Sequence, residues 1–161
     1  MLLQVSPSVV LIDRQGIPEE ARPIADPHVT LLRGVSMAPL LGPLGPQVAE
    51  VLAALPPLPE PRLGTRLHLA TRPPHPTKDP PGTTHPLRTW FRTVENQAAF
   101  HDALEQVVLV LAQLAARPFP HPERHRFFHL SCFNNRGGDG MRSIGDICAE
   151  DALPMGLQSA E

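Results

Sequence analysis

The sequence predicts a single domain that mixes strands and helices, and three observations carry that expectation. The chain has 161 residues, inside the usual range for one domain, and 42% of them are apolar, enough to bury a core. Short β-branched or alternating runs recur along it, and two longer stretches carry apolar residues at helical spacing. Many of its 21 prolines gather in residues 55–64 and 72–86, where a ring that fixes φ and removes the N–H forbids helix interiors and central strands. One domain over residues 1–161 is therefore expected, with lobes of roughly 1–72 and 87–148 joined by a proline-rich connector at 73–86.

The elements follow in order. VVLIDR (9–14) is a β-branched run ended by Gly16 and Pro18 and reads as a strand. HVTLLRG (28–34) reads as a second strand, launched by Pro27 and closed by Gly34. PQVAEVLAAL (46–55) sets Val48, Val51, Leu52 and Leu55 on one helical stripe, with Pro46 at the first turn where its missing N–H costs nothing. RLHLATR (66–72) alternates leucine with polar residues, as a half-buried strand does. TWFRTV (89–94) is a strand, NQAAFHDALEQVVLVLAQLAAR (96–117) is the strongest helix in composition, and FFHLSCFN (127–134) is the last strand. A glycine-rich turn follows it.

Charge and leader sequence narrow the function classes. A net charge of −2 and a pI near 6.4 exclude a broad basic footprint, so any nucleic-acid contact should be local, at an end or a single nucleotide. The N-terminal run lacks a positive leader and is broken by Gln4, Ser6 and Pro7, and no stretch approaches the ~20 apolar residues of a membrane span. Cys132 and Cys148 form no disulfide framework. A reducing cytoplasm, no membrane and a monomer are the expectations.

Two short motifs carry the chemistry. PHVTLL and FFHLSCF each hold a histidine two positions before a hydroxyl residue, His28 with Thr30 and His129 with Ser131. On a strand, residues two apart share a face, so each motif is equipped on one side and apolar on the other. If the two strands meet at one cleft, two imidazoles and two hydroxyls surround it. That set suits a phosphodiester. One neutral histidine takes a proton from water, a charged one protonates the leaving oxygen, and the hydroxyls donate to non-bridging oxygens as charge grows on them.

These paired motifs resemble the H-x-T/S signature of the 2H phosphoesterases, a superfamily that includes enzymes named 2′-5′ RNA ligases and the cyclic phosphodiesterases of RNA repair. The stretch FHLSCFNNRGGDGMRSIGD is similar to the second motif of tRNA-ligase-type cyclic phosphodiesterase domains, ending here in Ser143, Ile144, Gly145 and Asp146. The resemblance implies a bilobal α+β fold, with two antiparallel sheets flanking a central cleft and helices outside. It also implies opening of a 2′,3′-cyclic phosphate, on an RNA end or a small cyclic nucleotide, with His129 as general base, His28 as general acid and a 2′-phosphate as product. Thr30 and Ser131 would hold the phosphate.

Further candidates for substrate contact are Phe133, or one of the core or cleft-wall residues Trp90 and Phe91, as rings that could stack a base, and Arg142 and Ser143 in the glycine-rich loop; Arg33 and Arg136 are candidates for flanking phosphates. No cofactor and no metal are expected, because the four-residue spacing of His125 and His129 does not converge on one ion from a strand. His68, His75, His85 and His101 are expected at the surface, and Cys132 as inert packing. Two rival readings are a non-catalytic module that binds nucleotides or RNA ends, and a 2′-5′ RNA ligase-like activity. A bell-shaped pH profile and insensitivity to EDTA are expected of the hydrolase.

Overall fold

The computed structural model describes residues 2–4, 17–116, 126–137 and 143–152, with backbone alone for 2–4 and 34–43. The expected strand at 9–14, Arg142, and the glycines 138 and 140 lie outside the described residues.

The protein is α+β. Strands β1 (Leu2–Gln4), β2 (Arg22–Pro23), β3 (His28–Thr30), β4 (His68–Arg72), β5 (Leu87–Thr93) and β6 (His129–Asn134) surround two helices in the chain, α1 (Gly34–Ala53) and α2 (Gln97–Ala115). Five strands run antiparallel in the order β1–β3–β6–β5–β4, and the two-residue β2 adds to β6. All six described strands thus belong to one sheet. Its joints are unequal: β5 and β6 share five residue pairs, β4 and β5 also five, whereas β3 and β6 meet only at Val29 and Leu130.

One face of the sheet packs on the helices. Val29, Leu130, Cys132, Trp90 and Phe133 meet Phe100, Leu104, Val107 and Leu111 of α2 and Val48 of α1 in one core, with Phe128 against Phe100 at 5.3 Å between ring centroids. Burial of side chains this large is the main source of stability. On length and composition alone α2 could cross a membrane, but Phe100, Leu104, Val107, Val108 and Leu111 give it a face inside this core.

Three differences from the sequence reading have physical causes. The chain leaves β3 after three residues, since Leu31 and Leu32 turn into the core, and helix begins at Gly34 in place of continued strand. The helix is two pieces joined at Leu44, whose φ of −127° is not helical; the second piece starts beside Pro46, where the predicted helix starts. Local proline and glycine signals hid the first piece. His68 is buried, and the His101 ring packs edge-on against Phe128 at 4.9 Å, so neither is the solvated side chain its neighbours in sequence suggest.

Gln97, at the first turn of α2, ties the helix to the approach of β6. Its amide nitrogen donates to the carbonyls of Val94 and Phe128, and its oxygen accepts from the Phe128 N–H. The start of the second histidine strand is fixed from both sides of the backbone.

Candidate functional site

The Val29–Leu130 pair sets the site. Both side chains are fully buried in the helix-side core, so their neighbours in sequence point to the opposite face of the sheet. Continuing the antiparallel register by one residue each way puts His28 opposite Ser131 and Thr30 opposite His129. The two tripeptides are related by a local twofold axis through that pair, and the histidines occupy one diagonal, roughly 7–8 Å apart at the backbone. All four side chains line a single small pocket of about 60 Å³, together with Ile24, Arg126, Ser143, Ile144 and Gly145.

The two imidazoles are oriented in the same way. His28 Nδ1 lies 2.8 Å from the carbonyl oxygen of Asp26, and His129 Nδ1 lies 3.1 Å from that of Phe127, in each case the residue two positions earlier. A carbonyl only accepts, so each Nδ1 carries the proton and donates it. The second ring nitrogen, Nε2, is left for chemistry in both rings.

Their environments differ. His129 is 8% exposed on a strand with neighbours on both sides. Burial lowers its pKa from 6.5 to about 4, helped by the positive charges of Arg126 and His28 and opposed by the Phe127 carbonyl and Asp146. At pH 7 this ring is neutral with a bare Nε2. His28, by contrast, is half-buried on a three-residue strand.

A bulge in β6 decides which face the last residues of that strand take. Trp90 pairs with Phe133 but Phe91 pairs with Ser131, which leaves Cys132 as an extra residue. Beyond it the alternation is reset. Cys132 and Phe133 both enter the helix-side core with Trp90, at 0%, 3% and 1% exposure. Phe133 and Trp90, expected to stack a base, are therefore packed on the far side of the sheet from the histidines. Phe91, opposite Ser131, lies on the site face, edge-on to the His129 ring at 5.6 Å and tilted against His68 at 5.5 Å. Across the sheet the row reads His28, Ser131, Phe91, His68. A sequence pattern with period two gives no sign of the inserted residue.

Burial lifts the Cys132 thiol to about 12, so it stays protonated and inert, donating weakly to the Leu130 carbonyl.

The segment that begins at Ser143 closes the pocket. Asn134, brought to the site face by the bulge, donates to Ser143 Oγ, and the Ile144 N–H donates to the buried Thr89 hydroxyl at 2.9 Å. Arg33, just past β3, pairs with Asp146. Ser143 lines the pocket, Arg33 is engaged in an ion pair and Arg136 donates to the His85 carbonyl. Sequence reasoning missed Asn134, Thr89 and Arg126. The first two are ordinary strand-end polar residues until the fold brings the loop to them.

Compared with family models, with curated proteins and with solved structures, the chain matches none of them.

Proposed function

We propose that the protein is a metal-independent 2′,3′-cyclic nucleotide phosphodiesterase of the 2H phosphoesterase type, acting on RNA ends or small cyclic nucleotides. One observation carries the reading: two His-x-hydroxyl strands, far apart in the chain, are paired about a local twofold axis so that all four side chains line one anion-sized pocket. The bilobal form of that superfamily belongs to the same proposal. It is supported by the single-pair joint between β3 and β6, which leaves a β1–β3 unit and a β6–β5–β4 unit each holding one motif.

The steps follow from the two environments. His129, neutral because it is buried, accepts a proton at Nε2 from the attacking water as the water oxygen bonds to phosphorus. His28, in its charged form, gives its Nε2 proton to the ribose 3′ oxygen as that oxygen leaves phosphorus. The ring opens to a 2′-phosphate and a free 3′-hydroxyl, and the two protons exchange with solvent to restore the starting state. Thr30 and Ser131 donate to the non-bridging oxygens, where negative charge builds, and Arg126 adds positive charge at the pocket wall.

The test is product analysis on a panel of cyclic-ended RNAs and 2′,3′-cyclic mononucleotides, with and without EDTA. Turnover to a 2′-phosphate that persists in EDTA is expected. Binding without product would leave a nucleotide-binding module, and activity abolished by EDTA would overturn the two-histidine scheme.

A further inference from the structure

The histidine pocket, at about 60 Å³, has room for a phosphoryl group or a few waters and not for a nucleoside. The rest of any substrate must lie elsewhere. A much larger cavity of about 620 Å³ lies next to it and shares the wall formed by Ser143, Ile144 and Gly145. That volume falls within the range of small-molecule sites, roughly 300–1,000 Å³. Its floor is the continuation of the site face, Ala70 and Leu87, with Ile144 alongside.

Its charges are unevenly committed. Asp79 is held by Arg72 and the His75 N–H, Asp146 by Arg33, and Asp151 by the Cys148 N–H. The His75 N–H and the Arg72 guanidinium hold the Asp79 carboxyl below its usual value and leave it acting as structural support for the proline-rich connector. Lys78, the chain's single lysine, stands on the same connector and lines the cavity with no hydrogen bond or ion pair among the described residues.

We infer that this cavity receives the nucleoside 5′-phosphate portion of the substrate, with the Lys78 ammonium meeting the 5′-phosphate while the cyclic phosphate occupies the histidine pocket. The inference rests on the proposed phosphodiesterase reading and adds a preference for substrates with a second phosphate. The apolar floor accommodates the sugar and base, and the connector, whose prolines exclude it from the core, serves as a phosphate-recognition arm.

The experiment compares adenosine 2′,3′-cyclic phosphate bearing a 5′-hydroxyl with the same compound bearing a 5′-phosphate, by kcat/KM, in the wild type, Lys78→Ala and Lys78→Arg. A charge-assisted contact predicts about a tenfold preference for the 5′-phosphorylated compound, mostly through KM. The preference should fall to about one in Lys78→Ala and survive in Lys78→Arg. Equal kcat/KM for the two compounds in the wild type, or an undiminished preference in Lys78→Ala, overturns the subsite and leaves the phosphodiesterase standing. If neither compound is turned over, mononucleotides are refuted as substrates, and calorimetric titration with both still reads the subsite: equal affinities overturn it, and tighter binding of the 5′-phosphorylated compound that Lys78→Ala abolishes upholds it.

Discussion

Strands β3 and β6 each carry a histidine and a hydroxyl residue on the same face of one sheet, yet they give the two imidazoles different surroundings. β3 is three residues long, has the short β1 on one side and touches β6 through one pair, and its histidine is half-buried. β6 is six residues long and flanked on both sides, with Phe91 against its histidine and Ile144 nearby. Both rings are held by an identical Nδ1–carbonyl contact, so orientation does not distinguish them. Burial does. A desolvated imidazole resists charge and suits the base, and a more open one can carry the proton that the leaving oxygen needs.

The largest test of that comparison removes the rings. His28→Ala and His129→Ala should each lower kcat/KM by about 10² to 10⁴, the usual contribution of a positioned acid or base. Retention of near-full activity in either variant would break the pairing.

A second test reads His129 through pH. Its native pKa of about 4 lies below the 6.5 of an unperturbed histidine, so the unfolded chain takes a proton that the native protein refuses. Stability should fall as pH drops from about 6.5 to about 4, by about 3 kcal/mol in total at 1.36 kcal/mol per unit. Denaturant unfolding of wild type against His129→Gln isolates this contribution, and an unchanged pH slope in the variant would refute it. Activity should keep its base in working form down to the same low pH, with an acid limb near 4.

The hydroxyls come next. Thr30→Val and Ser131→Ala each remove one hydrogen bond to a charged phosphoryl oxygen and should cost about 1.5–3 kcal/mol of transition-state stabilisation, or roughly 10- to 100-fold in kcat/KM. Similar losses at the two positions would sharpen the twofold relation, whereas a loss at only one would break it. The smallest effect belongs to the ion pair that joins the β3 side to the closing segment: Asp146→Asn should change stability by no more than about 1 kcal/mol, because both side chains are partly exposed. Thermal unfolding checks it.

Much of this was legible in the sequence. The strands at 66–72, 89–94 and 127–134 and the helix at 96–117 appear as β4, β5, β6 and α2 within two residues at each end, because their periodicity matches the faces they bury. The four motif residues were legible as two same-face pairs. Two things were not: the first part of α1, where Gly34, Pro39, Gly42 and Pro43 argue locally against helix; and the inserted Cys132, which moves Phe133 into the core and Asn134 to the site face.

The sequence by itself determined which residues could do chemistry and which face of each strand they share, because alternation along a strand is a local property. Only the tertiary structure decided that the two strands meet at Val29 and Leu130, that β6 lies deep enough to keep one histidine neutral, and that a loop from beyond residue 142 closes the pocket. Register between distant strands and desolvation by neighbours are properties of the packed molecule, and no residue encodes them alone.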